Sequence, residues 1–316
     1  MNSRQKKVQQ SLLKNELQVI KQLEENYKDA IKNIDTIITN LMARKDTENI
    51  QSIIYQLKYQ RALKKELEAL LKVLQDNNFT TIDEYLNKCY EESHIGTLFD
   101  LQGQGIPLMI GLDQEKVVNA ILLNSKLSSP LYTELGYNLE ALKLSLTRVI
   151  SRGIAQELSY EEIARNIKNE TNVDYNKSIR IARTEGHRIQ CESAYNVQKK
   201  SISLGADILK EWDSTLDGHT RDTHRGLDGT IIPVDDYFET INGRALYPGG
   251  FDVAKEDCNC RCFCLSRAKW DLTDEEFTKM NGETNELQHF ESVDDYNEFK
   301  NKFWEVSKWE LKKMVI

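Results

Sequence analysis

Four of the six cysteines alternate with other residues in the segment DCNCRCFCL, at Cys258, Cys260, Cys262 and Cys264. On one regular strand all four thiols would share a face, and the outer two would lie about 20 Å apart. One tetrahedral metal cannot bind all four, but two neighbours about 6.6 Å apart at the backbone can chelate one ion. A disulfide within C-x-C is strained and is disfavoured in a reducing cell.

Further ligands are expected from the polar loop LDGHTRDTHRGLDGT, and a zinc site of His224, Cys260 and Cys262 fits these residue types. The fourth ligand stays open among three side chains of the same two segments: His219, Cys258 and Asp217. The alternatives are small buried thiols in a β unit and thiol redox chemistry. The first role of a bound metal would be to cross-link a loop-rich unit that has little core. A metal with only three protein ligands would keep a coordination position open, and hydrolysis could then occur there.

A second group of charged residues stands in ARTEGHR, with Arg183 and His187 one helical turn apart and Glu185 on another face. In an enzyme, Glu185 would be a general base and Arg183 would bind an anion. In a structural role, the charges would hold the helix against the β unit. Charged side chains at helical spacing are commonly structural pairs, which favours the second interpretation.

The elements that must position these residues follow from periodicity and breakers. No proline precedes Pro107, and apolar residues recur at heptad-like steps over 13–41 and 50–74, on either side of RKDTEN. We therefore predict an antiparallel helical hairpin that ends at DNNF, residues 76–79. Residues 1–75 hold 14 Lys and Arg against 9 Asp and Glu, a local charge of +5 that could face DNA or an acidic partner, or only solvent.

The middle of the chain is predicted to be helical, interrupted by a glycine-bearing loop at 96–111, with Asp113 as the cap of the next helix. From Gly205 onward the sequence pattern favours β-strands. ADILKEWDS is predicted to be a strand with a buried tryptophan, and TIIPV is predicted to be an edge strand. Trp304 and Trp309 are expected to dock the acidic tail. The predicted fold class is α+β, in four parts: a hairpin arm (1–78), a helical region (79–204), a β-containing unit with the Cys/His cluster (205–270) and a helical tail (271–316).

The composition and the motifs of the chain exclude several classes of protein. Hydrophobic residues make up 40% and charged residues 29% of the 316, and no apolar run reaches 18 residues, so no membrane span is expected. MNSRQKKVQQ lacks the apolar core of a secretory signal, which predicts synthesis in the cytoplasm, where thiols stay reduced. No Walker A, Rossmann or nucleophile-elbow motif is present.

Four segments follow one another along the chain: LSYEEIARNI (158–167), RIARTE (180–185), EWDSTLDGHTRDTHRGLDGT (211–230) and NCRC (259–262). In this order they resemble the phage Mu F-like family of minor head, or head morphogenesis, proteins of tailed bacteriophages. The resemblance covers roughly residues 95–268. The positions that match the family's characteristic residues are Arg183, Thr184, Glu185, Trp212, Asp217, His224, Gly229, Cys260 and Cys262. The candidate ligands His219 and Cys258 are not among them.

The resemblance implies a virion component, made in the host cytoplasm and incorporated near the portal vertex during procapsid assembly. It implies that the portal protein is a partner. Scaffold or capsid protein is a further candidate partner, and so is DNA, which the basic arm would bind. It also implies a role in DNA packaging or delivery. The alternative is a metal-dependent hydrolase or nuclease carried in the virion, with a site formed by Asp217, Glu185, His224, Cys260 and Cys262.

Overall fold

A computed structural model describes most of the chain, in four long stretches and some single residues. The described residues are 1–43, 57–122, 142, 144–149, 152, 156, 160–215, 217–271, 299, 301, 303 and 304. The predicted hairpin turn at 44–49, most of the tail and Trp309 lie outside them. Trp304 lies inside them and packs against a hydrophobic core.

Helices dominate the first two thirds, as predicted for the α part of an α+β fold. They are α1 (Ser3–Ala43), α2 (Leu57–Gly103), α3 (Gln114–Leu122) and α4 (Tyr160–Ser203), and residues 144–149 are also helical. The Asp113 carboxylate accepts hydrogen bonds from the backbone N–H groups of Glu115 and Lys116, which confirms the predicted cap of α3.

The helical break predicted at DNNF is wrong, because α2 runs through residues 76–79 without interruption. Asn78 is buried there and accepts a hydrogen bond from Asn26 Nδ2 at 3.0 Å, and the Thr80 hydroxyl donates to the carbonyl of Asp76. Tertiary contacts therefore use the polar residues that would otherwise end a helix. The loop predicted to begin at residue 96 begins only after Gly103.

The β part follows within the predicted limits. Strands β1 (Ile208–Asp213), β2 (Ile231–Pro233) and β5 (Phe263–Ala268) form an antiparallel sheet in the order β2-β1-β5. A separate hairpin pairs β3 (Phe238–Thr240) with β4 (Gly243–Ala245). Two short helices complete this part, α5 (Asp222–Leu227) and α6 (Ala254–Asp257). The strand with a buried tryptophan and the edge strand that ends in a proline are both confirmed.

Side chains from α1 and from the turn after α2 cover the outer edge of β5. The Ser266 carbonyl accepts hydrogen bonds from the side-chain amides of Gln5 and Gln104, and the Ala268 N–H donates to Gln104 Oε1. An uncovered edge would leave these backbone groups unpaired. The sequence signal for this arrangement is weak, since glutamine side chains are mostly exposed.

The chain divides into two compact units. One contains residues 1–16, 85–127 and 183–316, and the other contains residues 17–84 and 128–182. The boundary predicted at residues 78 and 79 falls inside helix α2. No described helix has a segment long and apolar enough to cross a membrane.

Candidate metal centre

Three side chains from two separate segments converge in the β part: His224, Cys260 and Cys262. Their ligand atoms all lie within 4.8 Å of one another. His224 Nδ1 is 3.6 Å from the Cys260 Sγ and 3.3 Å from the Cys262 Sγ. Tetrahedral zinc, with its usual Zn–S and Zn–N bond lengths, would separate such a sulfur and nitrogen by about 3.6 Å. The donor set therefore fits zinc, and the same separations also allow hydrogen bonds between thiol and imidazole.

The backbone explains why two thiols converge instead of lining up along a strand. His224 stands on α5, while Cys260 and Cys262 precede β5, which begins only at Phe263. Asn259 has a positive φ of 52°, a left-handed conformation that asparagine tolerates better than most residues. The turn at this residue sets the chain off the line of the strand, so that the two thiols can approach one imidazole.

The centre is closed to solvent. His224 is 1% exposed, Cys260 3% and Cys262 2%. The Trp212 ring meets the imidazole edge-on with centroids 5.2 Å apart, and Phe251 stacks on it at 6.1 Å. These rings belong to the same hydrophobic cluster as the two cysteines. Burial to this degree suits a structural site better than one that must admit a substrate.

The pKa values of the two thiols are shifted in opposite directions. A hydrogen bond from Cys260 lowers the pKa of Cys262 well below its usual value, with His224 contributing in the same direction. The same bond, together with burial, raises the pKa of Cys260. One member of the pair is therefore disposed to be a thiolate, which is the form that binds metal.

Glu256 supports the centre from behind the imidazole. Its Oε2 lies 3.0 Å from His224 Nε2, in a contact that lacks the alignment of a hydrogen bond and is electrostatic. The carboxylate is fully buried and accepts hydrogen bonds from Thr223, Thr240 and Asn242. Burial raises the pKa of Glu256, but these hydrogen bonds and His224 outweigh it and leave the pKa below its usual value. A carboxylate on the far nitrogen of a ligating histidine is the common arrangement around bound metals.

Helix α4 holds the cysteine segment through the ARTEGHR residues. The Thr184 hydroxyl accepts the N–H of Asn259 at 3.1 Å, and His187 Nε2 donates to the carbonyl of Cys262 at 2.6 Å. From the other side, the Thr215 hydroxyl donates to a carbonyl within the same segment. These contacts fix the backbone on both sides of the two thiols.

The charged residues of that motif form ion pairs, one group of them buried and one at the surface. Arg188 is buried and contacts Glu185 at 2.9 Å and Glu192 at 2.7 Å. Arg183 lies at the surface and pairs with Glu16 at 2.9 Å. The arrangement is the one expected of a structural ion cluster.

The remaining candidate ligands lie outside the three-residue group. Asp217 forms a two-pronged ion pair with Arg261, which holds the pKa of the Asp217 carboxyl well below its usual range. His219 is exposed and donates its backbone N–H to Asp217, and Cys258 is half-buried. Gly229, at a positive φ of 74°, closes the turn against β1. The fourth ligand therefore stays an open prediction.

Sequence reasoning missed Glu256, although it stands only two residues before Cys258. Ligating histidines commonly contact a carboxylate, but the chain has 50 Asp and Glu residues and the sequence does not choose among them. Ser214 was also missed: its hydroxyl lies 3.6 Å from the Cys262 Sγ and donates to the carbonyl of His224.

Comparison with known proteins agrees with the motif order. Residues 144–265 match the model of a family described as phage Mu protein F like proteins, and this span includes the three converging side chains. This region belongs to the phage Mu F-like family. No solved structure is significantly similar to the chain.

Two curated proteins align with most of the chain. The NAD(+)–arginine ADP-ribosyltransferase EFV of Enterococcus faecalis is 34% identical over 259 residues, which cover 79% of this chain and 52% of the relative. The chain thus spans about half the length of that protein. The minor head protein GP7 of Bacillus phage SPP1 is 29% identical over 260 residues, which cover 78% of this chain and 80% of the phage protein.

Proposed function

We propose that this protein is a minor head protein of a tailed bacteriophage, assembled in the host cytoplasm and built into the procapsid near the portal vertex. The observation that carries the proposal is the alignment with the SPP1 minor head protein, which extends over 80% of that protein. In this role the protein would act in head assembly and in DNA packaging or delivery. The activity named for the enterococcal relative is not part of the proposal, because the alignment covers only 52% of that protein.

An apolar groove supports the proposal that the helical arm binds the portal. The groove lies between α1 and α2 within the unit of residues 17–84 and 128–182, and has a volume of about 480 Å³. Its lining includes Ile37, Leu70 and Val73, and Val73 is 59% exposed. Grooves of this kind between helices commonly accept the apolar face of a partner helix.

Deleting residues 1–75 would be a poor test of portal binding. Asn2 and Gln5 donate hydrogen bonds to the buried Asp100, and Gln5 also donates to Ser266 on the edge of β5. A deletion would remove these contacts and destabilise the unit that contains the metal centre. Loss of incorporation would then say nothing about docking.

A surface substitution separates the two effects. We would complement the encoding phage, deleted for this gene, with wild-type, Val73→Arg or Val118→Arg protein, and measure the protein in purified heads. Val118 is a matched control because it is also a half-exposed helical valine, 50% exposed on α3. We expect wild type and Val118→Arg in the heads and several-fold less Val73→Arg. Heads that lack the wild-type protein would overturn the proposal.

We propose a structural zinc as the cofactor. His224, Cys260 and Cys262 would hold it, and its chemistry would be the cross-linking of α5 to the segment before β5. A metal-dependent hydrolase would need a coordination position that substrate can reach. The burial of all three side chains favours the structural role.

A further inference from the structure

The two thiols of the candidate metal centre are in contact with each other. Cys260 and Cys262 share a hydrogen bond, and their sulfurs belong to a group of ligand atoms that all lie within 4.8 Å of one another. Arg261, between them, is exposed and pairs with Asp217 on the outside, so its side chain does not separate the two sulfurs. A disulfide forms only between thiols that can approach to a sulfur–sulfur distance of about 2 Å. Two sulfurs already in contact need a small movement to reach it.

We propose that this pair is a redox switch, in which a peroxide oxidant joins Cys260 to Cys262 as a disulfide and the centre releases its metal. The inference rests on the proposed function and the proposed zinc, and it adds regulation to that site. A protein assembled in a reducing cytoplasm and then carried outside the cell in a virion passes into conditions that favour disulfides. The centre is therefore reduced during assembly and becomes oxidised in the free particle.

The reaction needs only the two sulfurs and one molecule of hydrogen peroxide. One sulfur attacks the peroxide and breaks its O–O bond, which leaves a sulfenic acid on that sulfur. The second sulfur attacks the first, forms the S–S bond and expels hydroxide. Overall, the zinc-bound pair of thiolates, one hydrogen peroxide and two protons give a disulfide, a free zinc ion and two water molecules. The ion leaves because thiolates, and not disulfide sulfurs, bind metal.

Helix α5 is the part of the wall around the thiols that can admit the oxidant. It has only six residues, and its N-cap residue Arg221 makes no side-chain capping hydrogen bond. Short helices without such a bond are marginally stable. His224 stands on this helix, where the Asp222 side chain is 99% exposed. Local opening of α5 moves the imidazole off the sulfurs, and a molecule nearly as small as water then reaches them.

A disulfide between residues two positions apart is strained, and this strain makes the switch reversible. Strained disulfides are reduced more readily than relaxed ones, so reduced glutathione in a host cytoplasm returns both thiols. Thr184 holds the N–H of Asn259 and His187 holds the carbonyl of Cys262, and neither bond involves a thiol. The segment therefore stays in place and can bind metal again after reduction.

Trypsin distinguishes this disulfide from others in the same segment, because it cleaves between the two cysteines. Cleavage after Lys255, Arg261 and Arg267 gives the peptides EDCNCR and CFCLSR. A bond from Cys260 to Cys262 keeps these two peptides joined, whereas a bond within either peptide lets them separate. Fragmentation of the joined peptides in the mass spectrometer then locates the bond.

The experiment treats the zinc-loaded full chain with hydrogen peroxide, alkylates the remaining thiols in denaturant and digests with trypsin, while a chromophoric chelator follows zinc release. For wild type and for the control Cys258→Ser, which keeps the pair, we expect joined peptides, about one zinc released at the same rate, and reversal of the join by glutathione. Cys260→Ser should give no joined peptides. Cys89 is fully buried, and burial raises its pKa to about 12, so it should be alkylated completely in every sample. Circular dichroism checks that all three proteins are folded.

Each other outcome overturns the inference. Wild-type peptides that separate after peroxide treatment, or zinc that leaves without the join, would reject the switch. A join that disappears in Cys258→Ser would assign the bond to Cys258, and a join that glutathione does not reverse would be oxidative damage. A wild type that holds no zinc would reject the coupling to metal. The proposed function fails separately, by absence of the protein from purified heads, which none of these measurements on the purified chain decides.

Discussion

Glu256→Gln tests the carboxylate behind the candidate metal centre. The substitution keeps the size of a side chain that is fully buried, but it removes the charge and replaces one oxygen by an NH₂ group. Oε1 accepts a hydrogen bond from the Asn242 amide, and Oε2 lies against the His224 ring nitrogen in an electrostatic contact. Glutamine keeps a single acceptor oxygen: if that oxygen faces Asn242, an uncharged NH₂ group lies against His224, and if it faces His224, the hydrogen bond from Asn242 is lost.

A hydrogen bond to a charged group contributes about 1.5–3 kcal/mol, so we expect Glu256→Gln to lower the free energy of unfolding by about 2–3 kcal/mol. Urea unfolding followed by tryptophan fluorescence measures it, since Trp212 is buried beside His224. Glu239→Gln, on the exposed face of β3, is the matched control and should change stability by less than about 0.5 kcal/mol. Zinc affinity, measured by competition with a chelator, should fall about 10–100-fold in Glu256→Gln.

If Glu256→Gln unfolded like Glu239→Gln, the contact at His224 Nε2 would contribute nothing and the account of the centre would be wrong. If stability fell but zinc affinity did not, Glu256 would support the fold without orienting a ligand. Stability and metal affinity must fall together for the carboxylate to hold the imidazole toward the thiols.

Three further predictions use other features of the β part. Elemental analysis should find about one zinc per chain, lost in Cys262→Ser and kept in Cys258→Ser, because Cys258 lies outside the three-residue group; a metal-free wild type would leave a cluster of buried thiols. Lys210 is buried, and burial lowers its pKa to about 8, below that of the unfolded chain, so the unfolded state binds more protons between pH 8 and 10. The stability of wild type relative to Lys210→Met should therefore rise by about 2–3 kcal/mol from pH 7 to pH 10 in urea titrations, and a flat difference would contradict the lowered pKa. Gly249 has a φ of 84°, and a Cβ there would lie 3.2 Å from Arg188 Cα, so Gly249→Ala should lower the thermal midpoint by several degrees, whereas Gly218→Ala, in open space, should not.

The sequence was sufficient for the parts of the site that depend on residue type. Histidine and cysteine are the usual zinc ligands in a reducing compartment, so His224, Cys260 and Cys262 could be selected among many polar residues. The alternation of thiols predicted a strand, but the convergence of two of them depends on the positive φ of Asn259. No periodicity signals one residue in that conformation.

Helix boundaries were harder to predict from the sequence than the residue types of the site. DNNF has the composition of a break, and local propensity alone would end a helix there. The hydrogen bond from Asn26 to Asn78 joins residues 52 positions apart, and such a partner is invisible in a local reading. The capping aspartate at residue 113 was predictable because its partners lie only two and three residues away.

The cysteine segment is held in place by more than its thiols, which bears on what a metal would add. Thr184 fixes the N–H of Asn259, His187 fixes the carbonyl of Cys262, and Trp212 packs beside both thiols. A site that the protein already positions should bind metal without a large refolding step, unlike a zinc finger that is unfolded without its ion. We therefore expect a chelator to speed hydrogen exchange at the Asn259 amide and its neighbours while exchange in β1 stays slow. Exchange that became fast throughout β1 and β5 would show instead that the metal holds the whole β part together.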